Sequence, residues 1–323
     1  MKRPIKFFKA PHINLLFLIT FSFIFLQSCK SDKKETVDEN IEEPIDNSIE
    51  IITEVMDFQM ADTISSGWNT FKYYNRSKET HFFLLDKYPE GKFLIDAEKD
   101  VGPIFQNGMD LINEGKAEEG FAEFGKLPEW FSKIVFVGGS GLVSPGQMSE
   151  TTIKLEPGYY IVECYVKMAN GVFHNSMGMV KELIVLDENS NNSPPKPTVN
   201  ISISSENGII NKEVLSKGEQ VFVVQFEDQI VHENFTGHDV NLVKLIENAD
   251  IDALEKWMNW VDPKGLITPS PEGVVFLGGV NDMPAGRVGY FRVDLDPGKY
   301  ALISEVPNTS EKNMLKLFEV LDE

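Results

Sequence analysis

Three side chains with soft or borderline donor atoms fall within residues 157–185: Cys164, His174 and Met179, in the spacing Cys-x9-His-x4-Met. A thiolate, an imidazole and a thioether delivered by one loop suit copper better than the hard cations magnesium or calcium. One more imidazole would complete a set of two histidines and one cysteine with a weak axial thioether, the donor set of blue (type 1) copper centres. His81 is the candidate. The loop also carries Met177, a rival axial ligand at His-x2-Met, and Met168. With His174, these two thioethers could form an exchangeable cuprous site, so copper handling stands beside electron transfer as a reading. Each residue has a plainer role as well. Free cysteine is most often a small buried apolar residue, a lone histidine is commonly satisfied by backbone, and a methionine that opens a strand packs in a core. The joint spacing is what favours a metal.

The stretch reads as strand, loop and returning strand. Alternation puts Tyr160, Val162 and Cys164 on one face, the face that points into a sandwich. Pro157 and Gly158 are turn residues, and Tyr160 sits where a tyrosine corner pins the following strand. Upstream, Ile52, Met56 and Phe58 share one parity and read as a first strand. Residues 68–74 read as a second strand, 75–79 as a turn, and 81–85 as a buried strand that begins at His81. Between Asp86 and Lys133 the apolar spacing turns helical, through Met109, Ile112, Phe121 and Phe124. One or two short helices are expected there, with Gly125 and Pro128 as stops.

The pattern then repeats. VFVGGSGLVSPG at 135–146 is echoed by VFLGGVNDMPAG at 275–286, and LEPGYYIVEC at 155–164 by LDPGKYALIS at 295–304, both at an offset of 140 residues. MVKELIVLD at 179–187 returns as MLKLFEVLD at 314–322, and THFFLLDKY around His81 as GHDVNLVKL around His238. In the second copy Tyr300 takes the corner position, and a helix is expected over 251–260. Ser304 replaces the cysteine, and residues 305–313 contain no histidine. A hydroxyl cannot stand in for a soft thiolate, so no blue copper site is expected there. His232 reads as a solvated loop residue. Gly138, Gly139 and Gly141 read as a turn between strands rather than a phosphate cradle, because Gly278 and Gly279 echo them.

On these motifs the chain resembles the cupredoxins, the plastocyanin and azurin superfamily. Its loop is most similar to the copper domains of nitrite reductases and multicopper oxidases, where Cys, His and Met also come from one loop before the last strand. The resemblance implies an all-β architecture: two tandem cupredoxin-like Greek-key β-sandwiches with short helical insertions. It implies one copper ion in the first copy, held by His81, Cys164, His174 and Met179, with electron transfer to a redox partner rather than catalysis. The family places a small polar residue after the first histidine; here Phe82 stands there. A second reading is a binding or scaffold module whose fold has lost the metal.

The amino terminus reads as a targeting segment. Lys2, Arg3, Lys6 and Lys9 precede an apolar run over 13–26 that is short for a membrane span. Leu26-Gln27-Ser28-Cys29 resembles the lipoprotein cleavage box, which implies acylation of Cys29 and anchoring in membrane lipid. Lys30 rather than Asp follows, a feature that points to the outer membrane of a Gram-negative cell envelope. The expected divisions are signal 1–28, tether 29–47, first domain 48–187, linker 188–198 and second domain 199–323. Removing residues 1–28 takes away four basic and no acidic side chains, changing the net charge from −20 to −24. Such a surface repels nucleic acid and favours cations or a basic protein partner. With Cys29 acylated, Cys164 is the sole remaining thiol, so no internal disulfide can form.

Overall fold

A computed structural model of the chain describes residues 47–232, 236–260 and 262–322. The expected signal segment, Cys29 and the expected tether up to residue 46 lie outside them. In the first half, β1 (Ile49–Thr53) runs parallel to β2 (Thr63–Asn75), which pairs antiparallel with β5 (Met148–Leu155). The facing layer has the order β4 (Val135–Gly139), β3 (Leu84–Lys87), β6 (Gly158–Glu163), β7 (Val180–Asn189), every pair antiparallel. Alternate residues of each layer turn inward and meet. Phe71 and Tyr73 of β2 lie 5.3 and 5.7 Å, centroid to centroid, from Phe83. The core therefore sits between the layers. Residues 63–66 of β2 also pair with β7, which closes one edge of the sandwich.

The second half repeats this plan. β8 (Val199–Ser204) runs parallel to β10 (Gly218–Phe226), with β9 (Gly208–Asn211) on its far side, and β10 pairs antiparallel with β13 (Val288–Leu295). The facing layer has the order β12 (Val274–Val280), β11 (Val240–Leu245), β14 (Gly298–Ile303), β15 (Leu315–Val320). Even the register is kept. Leu84 pairs with Glu163 and Lys87 with Tyr160; Asn241 pairs with Ile303 and Lys244 with Tyr300. Both tyrosine corners form: Tyr160 donates to the Glu156 carbonyl at 2.7 Å, and Tyr300 to that of Asp296 at 2.8 Å.

The halves join where β5 pairs with β13, through Glu150 with Arg292, Thr151 with Phe291 and Thr152 with Tyr290. Shifting one strand by the repeat offset exchanges the outer two pairs, so a local two-fold relation passes through Thr151 and Phe291. Eleven strands thereby hydrogen-bond into one sheet and four into a second.

The described chain departs from the sequence expectations at several places. The first strand ends at Thr53, where the side chain of Asp57 accepts from the amides of Glu54 and Val55 and bends the chain. The insertion after β3 holds three helices rather than one or two: α1 (Leu94–Asp100), α2 (Gly102–Asn113) and α3 (Ala117–Phe124), then a 3-10 turn at Glu129–Lys133. Pro103, which lacks an amide hydrogen, starts α2 immediately after α1. The helix of the second half, α4 (Ile251–Met258), forms as expected. Gly138, Gly139, Gly278 and Gly279 belong to strands β4 and β12, not to turns. A Cβ on Gly139 would lie 1.9 Å from the Phe83 carbonyl oxygen, and one on Gly279 1.9 Å from that of Val240. Strand β7 runs on to Asn189, two residues into the expected linker. Among the described residues, no helix is long and apolar enough to cross a membrane.

Candidate metal centre

Strand β6 ends one residue before Cys164, and parity sends that side chain inward, where it is fully buried. His81, expected to open a strand over 81–85, lies three residues before β3 and outside it. Its amide and carbonyl bond instead to Val143, at 3.1 and 2.7 Å. Val143 is bridged in turn to Leu277 in β12. His174 precedes a one-turn 3-10 helix (Asn175–Met177), and its amide donates to the Val166 carbonyl at 2.8 Å. The loop is braced again from the second half. The Lys167 amide donates to Leu266, and the Thr268 amide donates back to Lys167. Both the isolated histidine and the loop are thus positioned by contacts that cross between the halves.

These elements bring three donors together. Cys164 Sγ lies 3.9 Å from His81 Nδ1 and 3.8 Å from His174 Nδ1, and the two Nδ1 atoms are 3.0 Å apart. All three side chains are fully buried, and they form the one His/Cys/Asp/Glu group able to hold a metal ion among the described residues. Two imidazole nitrogens and one thiol sulfur thus face a common centre, the donor set that would suit copper. The donors fit a copper ion of the blue type.

Protonation suits loading. Burial pushes the His81 imidazole down to about 3, with the neighbouring His174 ring adding to the effect, and pushes His174 down to about 4. Both rings are neutral at pH 7 and have lone pairs to give. Burial raises the Cys164 thiol to about 12, although the backbone N–H groups of Phe82 and Val166 favour the thiolate. In Phe82 it is the backbone N–H, not the side chain, that favours the thiolate. At the other nitrogen of His174, Nε2 lies 3.2 Å from Glu79 Oε2, in electrostatic contact but without hydrogen-bond alignment. His81 Nε2 is buried and unpartnered.

Met179 is fully buried, and its amide donates to the His174 carbonyl at 3.0 Å. Met177, the rival thioether, is 56% exposed, whereas the cluster is sealed. The equivalent position in the second half holds a polar network. Ser304 Oγ donates to Asp239 Oδ1 at 2.6 Å, and the Glu305 amide donates to the same oxygen at 2.7 Å. His232 is not a solvated loop residue: it is half-buried, with Nε2 2.9 Å from Nε2 of His238. Sequence reasoning did not single out Glu79, Val143 or Lys167. Nothing in a charged turn or an ordinary strand residue distinguishes them before the chain is folded.

No protein-family model and no curated protein matches the chain. Among solved structures it is similar to the dithionite-reduced auracyanin of Roseiflexus castenholzii, at 18% identity over 43% of this chain and 97% of that one, with a TM-score of 0.27. It is similar to auracyanin A of Chloroflexus aurantiacus, described as a "blue" copper protein, at 20% identity over 43% and 98%, TM-score 0.26. The copper nitrite reductase of Nitrosomonas europaea aligns over 85% of this chain and 93% of that one, at 12% identity and TM-score 0.21. With scores this low, the assignment rests on the strand order and donor set of this chain. Those define a duplicated β-sandwich protein whose first half holds a buried cluster of one cysteine and two histidines able to take one metal ion.

Proposed function

We propose that this chain is an electron-transfer protein of the cupredoxin kind, with sandwich domains at 48–187 and 199–323. It holds one type 1 copper ion through His81, Cys164 and His174, with Met179 as the axial thioether. A single observation carries the reading: two neutral imidazole nitrogens and one thiol converge at 3.0, 3.8 and 3.9 Å in a fully buried site. Copper there supplies one-electron chemistry. The chain's part is to keep the donors in one geometry, since a site braced from both halves reorganises little between oxidation states. No substrate position is part of this reading, so the protein acts as a carrier and a separate oxidase or reductase does the chemistry. The net charge of −20 favours a partner with a basic docking face. The second domain acts as a buttress for His81 and for the loop.

Copper handling by the methionine loop is less well supported, because Met177 faces outward. Copper(II) added to the metal-free protein is expected to give an intense blue thiolate charge-transfer band that Cys164→Ser abolishes. Colourless cuprous binding that survives Cys164→Ser would support handling instead, and no binding at all would leave a metal-free scaffold. We further propose a lipid anchor at Cys29 in the outer membrane of a Gram-negative envelope. Labelled fatty acid should enter the wild type and not Cys29→Ala.

A further inference from the structure

The strand that sends Cys164 inward sends its neighbours Glu163 and Tyr165 the other way, onto the back face of the β4–β3–β6–β7 layer. In a bare sandwich that face meets water. Here α1 and α2 lie over it, and a cavity of about 840 Å³ remains between them and the sheet. Its walls are largely apolar and aromatic, with Tyr88, Phe105, Phe136, Phe173 and Trp260 among them. Besides the exposed Glu98, four carboxyl groups line it: Asp86, Glu163, Asp282 and Glu305. Such groups are rare in an apolar enclosure unless something answers them.

Three of the four have a neutral donor. Glu163 accepts from Asn175 at 2.8 Å, Asp282 from Gln229 at 2.6 Å, and Glu305 from the Tyr165 hydroxyl. Asp86 differs. It is 3% exposed, and its Oδ1 is buried with no hydrogen-bond partner. Its side chain instead shares a hydrogen bond with a neighbouring carboxyl, Glu163, whose charge also adds to the burial that raises the Asp86 acid. Among the described residues, none of the four forms an ion pair. The buried ammonium nearest in effect, Lys167, directs its protons to the carbonyls of Trp260 and Asp262, at 3.5 and 3.1 Å. The cavity thus holds carboxyl groups whose charged form burial disfavours, an unused acceptor oxygen and aromatic faces, and among the described residues no cation of the chain lines it. The metal cluster uses none of these groups.

We propose that this cavity binds a small organic cation, a primary ammonium carried on an apolar body. The ammonium supplies the N–H that Asp86 Oδ1 lacks, and a charge-assisted hydrogen bond in a desolvated site is a strong one. The rings take the apolar body, and their faces attract the positive charge. A metal ion fits less well, because the four carboxylates do not draw together into a ligating group. Burial pushes the Asp86, Asp282 and Glu305 acids up, and an incoming cation acts against that shift by favouring the charged form.

The test is calorimetric titration of the full chain, free of metal, so that its outcome is separate from that of the copper reading. The probes are 2-phenylethylamine and 2-phenylethanol, which share a body and differ in charge. Saturable binding of the amine is expected, at least about tenfold tighter than any binding of the alcohol. Asp86→Asn, close to isosteric, should weaken the amine about tenfold and leave the alcohol alone, and Glu305→Gln should act in the same direction. Equal affinities for the two probes, or no saturable binding of either, would overturn the proposal without any variant. Amine binding indifferent to both substitutions would place the ligand elsewhere and overturn it too.

Discussion

Glu79 touches the imidazole of His174 at the nitrogen opposite the one that faces the sulfur, 3.2 Å away. A carboxylate behind a ligating histidine fixes the ring and raises its basicity, and removing such a partner typically lowers metal affinity about 10–100-fold. Glu79→Gln is therefore expected to weaken copper binding by about tenfold or more and to keep the blue band, since the sulfur is untouched. An unchanged affinity would make Glu79 an ordinary surface acid. The protonation states set a second expectation. With His81 at about 3, His174 at about 4 and Cys164 at about 12, the thiol is the one donor that still carries a proton at pH 7. Metal loading should release about one proton per ion at that pH. Calorimetry in two buffers of different ionisation enthalpy reads this number, and a release of two or three would mean that the imidazoles had been charged.

The elements that hold these residues come in pairs, so the molecule contains its own control. Gly139 lets β4 approach β3 just before the strand that follows His81, and Gly279 does the same for β12 and β11. Alanine at either position must push the neighbouring carbonyl away, an overpacking that typically costs about 1–3 kcal/mol. Both Gly139→Ala and Gly279→Ala should lower the midpoint of urea unfolding, but Gly139→Ala should weaken copper binding more. Equal effects on copper would mean that strand position does not control the site. The repeat that makes this comparison possible was legible in the sequence, because turn prolines, corner tyrosines and paired glycines recur at one offset. The cysteine and both histidines of the cluster were legible too, through the donor chemistry of one loop and the echo of His81 at His238. Other features left no trace. The bridge from His81 to Val143 and the bonds from Lys167 to residues 266 and 268 join segments about 60 to 100 residues apart without any periodic mark. The helix count was missed because short helices separated by one and three residues merge into a single apolar rhythm. The histidine pair of the second half was missed because a polar loop reads alike whether it is solvated or folded inward.

At the scale of the whole molecule, acidity is unevenly placed. Most acidic side chains among the described residues are exposed or half-buried, but Asp86 and Glu305 are buried, Asp282 is half-buried beside them, and desolvation pushes these three acids well above the usual carboxylate range. Asp239 is pushed up to about 6, also by burial. In the unfolded chain these groups ionise near the ordinary carboxylate value of about 4, while in the fold they keep their protons to higher pH. The native state then binds more protons than the unfolded one, so stability falls as pH rises. Each acid that keeps its proton contributes up to about 1.4 kcal/mol of loss per pH unit. The depressed histidines work with the opposite sign, because their unfolded forms take up protons first. They act only below the unfolded value of about 6.5 and are silent in alkali. The metal-free protein should therefore lose stability to these acids as pH rises above about 4, the unfolded carboxylate value. Asp282→Asn removes one of the contributing acids and should flatten the slope, while Asp62→Asn, on the surface, should leave it unchanged. Urea unfolding at each pH gives the three slopes directly. A slope that Asp282→Asn leaves unchanged would mean that this acid ionises in the fold as it does in the unfolded chain, with solvent or a bound cation answering its charge.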